Sequence, residues 1–141
     1  MRDILFRGKV SKNTFGEKGK WKYGFLTDID MILSRYNDPK SELTGEQNPV
    51  DPETVGEYTG LLDCKGQKIF EGDILKVRQR YREFEDDELE YRILTGVITF
   101  RSGGFWFTGS GYTFHDWHFY NSEDLDVIGS IHDNPELLQA N

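Results

Sequence analysis

Glu57 to Val77 reads EYTGLLDCKGQKIFEGDILKV, and this stretch decides the fold. Three turn signals, Tyr58-Thr59-Gly60, Asp63-Cys64-Lys65-Gly66 and Glu71-Gly72-Asp73, lie among short apolar runs. Glycine adopts the positive φ that tight turns need, and an aspartate can accept a hydrogen bond from its own backbone two residues on. The runs are Leu61-Leu62, Ile69-Phe70 and Ile74-Leu75-x-Val77. A chain that turns this often around such runs builds a small β structure and not a helix bundle.

Beyond this stretch, residues 73–82 alternate. Lys76, Arg78, Arg80 and Arg82 fall on one face, and Leu75, Val77, Gln79 and Tyr81 on the other. Glu83–Glu90, EFEDDELE, carries six acidic residues and no basic one, and Tyr91–Phe100 resumes β character. The pattern predicts a long hairpin with an acidic tip and arginines facing glutamates across its stems. A helix over 83–90 is the alternative, because glutamate and leucine favour one. Arg101–Gly104 is a turn, Phe105–Thr108 its return strand, and Leu125–Ile131 the last strand. Asn134-Pro135-Glu136 reads as N-cap, first helical position and first-turn acid, predicting a short C-terminal helix through Leu138.

Toward the N-terminus, residues 3–10 and 20–26 predict a hairpin whose Trp21, Tyr23 and Phe25 close one side of the core. Residues 29–36 fit either a strand or one to two helical turns. Three of the four prolines follow, at 39, 49 and 52, so residues 37–52 are expected to be an irregular exposed loop.

Thr54-Val55-Gly56-Glu57-Tyr58-Thr59-Gly60-Leu61, followed by Asp63-x-x-Gly66-x-x-Ile69-Phe70-Glu71-Gly72-Asp73-Ile74, resembles the signature of the YopX-like family of phage and prophage proteins. Val127-Ile128-Gly129-Ser130-Ile131-x-x-Asn134-Pro135-Glu136-Leu137-Leu138 resembles that family's closing motif. Ile4-x-Phe6-Arg7-Gly8 and Trp21-x-Tyr23-Gly24 match more loosely. The resemblance implies an SH3-like barrel, a phage or prophage origin in a bacterial host, and an activity that is not established. It carries over no catalytic residue, because the family's recurring positions are mostly turn glycines and core residues.

The 141 residues are expected to form one domain, with 1–52 an N-terminal hairpin and loop layer and 53–141 the barrel. A formal charge of −8 argues against non-specific duplex binding, which needs lysine and arginine to displace counterions. The single cysteine, Cys64, can form no intrachain disulfide, which suits a reducing cytoplasm. No apolar run reaches the ~18 residues of a membrane span and the N-terminus lacks a signal-peptide core, so a soluble cytoplasmic protein is expected.

Four features could carry chemistry. His115 and His118, with His132 later, are metal-ligand types, but an extended chain points His115 and His118 to opposite faces. Asp63, Glu71 and Asp73 could pair as acid and base, though each also suits a turn. Lys76, Arg78, Arg80 and Arg82 could track phosphates, opposed by the acidic run that follows them. Residues 105–120 hold eight of the twenty aromatics. One small barrel has little room to bury all of these, so Trp106, Tyr112, Phe114 and Tyr120 are candidates for an interaction surface, with Trp117 and Phe119 inward.

The expectation is therefore a mainly β, SH3-like, partly open barrel with an N-terminal β-hairpin extension and a short C-terminal helix. Its function is non-enzymatic binding of a protein partner or its own copies, without cofactor or metal. The alternative is nucleic-acid binding through Lys76, Arg78, Arg80 and Arg82. A small hydrolase using His115 and His118 comes third.

Overall fold

The computed structural model describes residues 4–13, 16–35, 45–114, 117 and 120–139, without the side chains of Arg35 and Phe114. The chain divides into two compact units, Met1–Tyr58 and Thr59–Asn141. Both are antiparallel β structures, and neither sheet closes on itself.

In the first unit, β1 (Phe6–Lys9), β2 (Trp21–Asp28), β3 (Met31–Arg35) and β4 (Gly45–Pro49) form successive antiparallel pairs. The expected N-terminal hairpin is present, with Phe6 opposite Gly24 and Lys9 opposite Trp21. Its aromatic face is not a core face. Tyr23 and Phe25 are exposed, while Trp21 lies under the Arg7 guanidinium, 4.4 Å from the ring centre. Ile32, opposite Leu26, turns the other side of the sheet inward, against Val10 and Val50. Gly8 permits that packing: a Cβ there would meet Val50 at 3.0 Å and Ile32 at 3.2 Å.

The expected irregular loop is corrected at 45–49, which is the edge strand β4. Proline is tolerated there because an edge strand leaves half its backbone groups out of the ladder. Pro49, last in the strand, lies opposite Met31 and accepts a hydrogen bond from the Ser11 N–H at 3.0 Å. Residues 36–44 lie outside the described set.

The strand β5 (Gly56–Leu62) begins in the first unit against β1 and ends in the second beside β6 (Lys68–Phe70). The main sheet of the second unit contains β7 (Asp73–Tyr81), β8 (Glu90–Arg101), β9 (Gly104–Gly109), β10 (Tyr112–Phe114) and β11 (Leu125–Ser130). Its order is β10-β9-β8-β7-β11, a meander with the last strand returning beside the first. Leu75, Val77, Leu94, Ile98, Phe107, Leu125 and Val127 from these strands form one buried cluster with Ile69 and Trp117. The alternation in 73–82 is as expected, with Leu75 and Val77 buried and Lys76, Arg78, Arg80 and Arg82 exposed.

Residues 83–89 form an exposed loop and not a helix. The stems do not oppose arginine to glutamate: Arg80 faces Tyr91, Arg78 faces Ile93 and Tyr81 faces Glu90. Both remaining hairpins turn on Ser-Gly pairs with positive φ, 51° and 78° at Ser102-Gly103 and 52° and 81° at Ser110-Gly111. Two consecutive positive values match the right-handed twist of the flanking strands. The C-terminal helix is corrected to a 3-10 turn over Pro135–Leu138. The Asn134 side chain makes no cap bond. Its Oδ1 accepts instead from the Ser130 N–H at 3.4 Å, so the first turn has no side-chain cap to seed an α-helix.

Candidate functional site

The turn that decides the fold also covers an edge. β11 ends its sheet, leaving backbone groups without a neighbouring strand. The Cys64 N–H donates to the Leu125 carbonyl at 2.8 Å, and Asp63 Oδ2 accepts from the Val127 N–H at 3.0 Å. Lys65 Nζ donates to the Val127 carbonyl at 3.1 Å. Asp63 Oδ1 meanwhile accepts from the N–H groups of Lys65 and Gln67, both at 2.9 Å. Asp63 is 2 % exposed and spends its carboxylate on three backbone donors. Asp73 is similar in kind, with Oδ2 accepting from the Phe70 N–H at 2.7 Å. A carboxylate so engaged is a poor general base, because protonation would break the bonds that hold the turn.

Asp63, Cys64 and Asp126 bring three potential ligand atoms within 4.8 Å of one another, the one such group among the described residues. Lys65 already supplies the cation, with Nζ 2.9 Å from Asp126 Oδ1 and 4.0 Å from Asp63 Oδ2. Partial desolvation, then the carboxylates of Asp126 and Asp63, push the Cys64 thiol above its ordinary pKa. His115, Asp116 and His118 lie outside the described residues.

The basic row emerges on the outer face of β7. Arg78 is not free: Nε and Nη2 both reach Asp124 Oδ1, at 2.8 and 2.7 Å. That bond, then the charge of the same carboxylate, raises the Arg78 pKa above its ordinary value. Arg78 and Arg80 flank Tyr91, 5.0 and 5.6 Å from its ring centre. Across the strand ladder Lys76 faces Thr95 and Asp126, so carboxylates interrupt the row at two places.

The expected aromatic surface divides. On the inner face beyond the core, Arg92 Nε donates to Gln79 Oε1 at 2.6 Å, and Gln79 Nε2 donates to the Tyr120 hydroxyl at 2.9 Å. Arg92 Nη1 donates to the Tyr112 hydroxyl at 2.7 Å, and its guanidinium lies 4.4 Å from the Tyr112 ring centre. Tyr112 and Tyr120 are therefore engaged within the unit, although Tyr112 stays 42 % exposed. The backbone of Phe114 pairs with Phe107; its side chain is outside the described set, as is Phe119. Trp117 is fully buried.

Trp106 belongs to a different feature, a groove of about 460 Å³ at the β8–β9 turn. Thr59, Leu61, Phe105, Trp106, Trp117 and the Ser102–Gly104 backbone line it. Its lining is mainly apolar, and the indole N–H groups are occupied elsewhere: Trp106 Nε1 donates to the Arg101 carbonyl at 3.0 Å, and Trp117 Nε1 to the Phe105 carbonyl at 3.1 Å. Phe105 packs edge-on against Phe100, with ring centres 5.2 Å apart. Gly103 and Gly104 add no side chain at the turn, and a Cβ at either would meet nothing within 4 Å. The volume falls in the range of ligand pockets. The sequence singled out Trp106 but not Leu61 or Phe105.

A family model described as YopX protein matches residues 6–139. No curated protein matches the chain. Among solved structures, protein EF1440 from Enterococcus faecalis is similar in fold, at 22% identity and a TM-score of 0.51, over 98% of this chain and 99% of that one.

Proposed function

We propose that this chain, which belongs to the YopX protein family, is a non-enzymatic binding module that takes an apolar side chain of a protein partner, or of another copy, into the Trp106 groove. The observation that carries the proposal is the groove itself, with mainly apolar walls and satisfied indole N–H groups. Aromatic pockets of this kind concentrate binding energy in a few side chains. A role without chemistry is supported by Asp63 and Asp73, whose carboxylates hold backbone. The β7–β11 meander supports an SH3-like half-barrel as scaffold, and the motif resemblance supports a phage accessory role in a bacterial cytoplasm.

Immobilised wild type and Trp106→Ala proteins, exposed to lysate of a lysogenic host, test the reading. A partner retained by the wild type and lost from the variant is expected. Equal retention by both would overturn it. The second reading, nucleic-acid binding, is favoured by Tyr91 lying exposed between Arg78 and Arg80. It requires a single-stranded oligonucleotide to bind with an affinity that falls steeply with salt. The Asp124 clamp on Arg78 weighs against it.

A further inference from the structure

Phe84 is the counterpart that the groove lacks. It is 70 % exposed, among the most exposed large apolar side chains described, and Glu83 and Glu85 flank it. The loop presents it on a closed turn: the Phe84 N–H donates to Asp87 Oδ2 at 3.1 Å, and the Asp87 N–H donates to the Phe84 carbonyl at 3.0 Å. At the groove, Arg101 is exposed, with its guanidinium 4.6 Å from the Trp106 ring centre and no carboxylate partner among the described residues. An aromatic ring between two glutamates thus matches an aromatic groove with one uncompensated cation at its rim.

The two features cannot meet within one chain. They lie at opposite ends of β8, a strand of 12 residues. At about 3.3 Å per residue they are separated by roughly 35 Å.

We propose that the occupant of the groove is the acidic hairpin tip of a second copy, Phe84 inserting beside Trp106 while Glu83 and Glu85 pair with Arg101. Because tip and groove terminate the same strand, two copies laid antiparallel engage both contacts at once. The contact is then two-fold and stops at a dimer. The inference rests on the groove reading above and names its ligand. Each chain carries −8, so association is expected where salt screens the net repulsion, at about 0.15 M, and not in dilute buffer.

The test is mass in solution, by sedimentation, of the full chain and four surface variants. Wild type is expected to dimerise with rising concentration, and Phe84→Ser and Arg101→Glu to weaken dimerisation at least about tenfold. Trp106→Ala should do the same by removing one wall of the groove. The deciding arm uses charge reversal. Arg101→Glu alone sets acid against acid, and Glu83→Lys/Glu85→Lys alone sets base against base. A mixture of the two restores opposite charges at both contacts, so a mixed dimer should form where neither protein dimerises alone.

A wild type that stays monomeric to roughly 1 mM, a mixture no heavier than its components, or mass growing beyond twice the monomer would each overturn the proposal. Failure here remains distinguishable from failure of the groove reading. If the wild type is monomeric yet Trp106→Ala still loses a partner that wild type captures, the groove binds and only the occupant was misassigned.

Discussion

Replacing Asp63 isolates the edge cover from everything else in the protein. In Asp63→Ala three N–H donors lose their acceptor at once, those of Lys65, Gln67 and Val127. The Val127 bond is buried, and the Lys65 and Gln67 bonds are partly buried and can recover water. A hydrogen bond to a charged group contributes about 1.5–3 kcal/mol, and an orphaned buried donor costs about 1–3 kcal/mol. Taking the Val127 donor at about 2 kcal/mol and the two wetter donors at about 0.5–1 kcal/mol each gives a loss of roughly 3–4 kcal/mol. That is a large part of the 5–15 kcal/mol typical of a whole domain.

The isosteric Asp63→Asn is the sharper variant. Its one oxygen can keep the Lys65 and Gln67 donors, but its NH₂ then faces the Val127 N–H, donor against donor. It is expected to lose about 2–3 kcal/mol despite unchanged volume. Lys65→Met removes only a side chain that is 56% exposed and should lower the midpoint far less than either Asp63 variant. Urea unfolding reads the series: with a slope of about 1.5–2 kcal/mol per molar, Asp63→Ala should lower the midpoint by roughly 2 M. An Asp63→Asn midpoint equal to wild type would refute the reasoning, since it would mean water satisfies the Val127 N–H as well as the carboxylate does.

Gly72→Val forces a β-branched residue to φ of 90°, with its Cβ 3.3 Å from His132 Nε2, and should cost about 2 kcal/mol or more by urea unfolding, whereas Cys64→Ser, at an exposed position, should leave the midpoint near wild type. Equal midpoints would refute the turn assignment. Replacing residues 83–90 by a short Gly-Ser turn should leave a cooperative transition within about 1 kcal/mol of wild type at dilute concentration, because Phe84 and Leu89 are exposed. Loss of cooperativity would make the loop structural. Cys64 has a raised pKa, so at any pH its thiolate fraction lies below that of an unperturbed thiol. Its alkylation rate should therefore climb at a higher pH than that of a free cysteine, and Asp126→Asn should shift the profile down. A profile matching free cysteine would contradict the arrangement.

What the sequence made legible was local. The turn at Asp63–Gly66, the alternation of Lys76, Arg78 and Arg80 with Leu75 and Val77, and the acidic tip at 83–90 each follow from residues adjacent in the chain, and each stands in the structure. What it hid depends on partners. β4 is polar and ends in proline, and it is a strand only because β3 offers a ladder with Arg35 opposite Gly45 and Met31 opposite Pro49. Trp21, Tyr23 and Phe25 look like a core face until Ile32 takes the other side of the sheet. Asn134 has the right neighbours for a helix cap, but its side-chain oxygen goes to Ser130 instead.

The groove was illegible for a further reason. Thr59, Leu61, Phe105 and Trp117 come from separate parts of the chain, and their indole and carbonyl partners are fixed only once β9 returns along β8. Gly103-Gly104 reads in sequence as turn chemistry and nothing more, and the φ of 78° at Gly103 bears that out. Gly104 lies opposite Arg101, on the face of β9 that carries Trp106 and not on the one that turns Phe105 and Phe107 to the core, and this assignment to faces is set only by the register with β8. The two glycines also differ in backbone, because only Gly103 has a φ that demands glycine. A side chain at Gly104 should therefore leave stability near wild type, whereas a side chain at Gly103 should cost stability through backbone strain, and urea unfolding of the two alanine variants separates them.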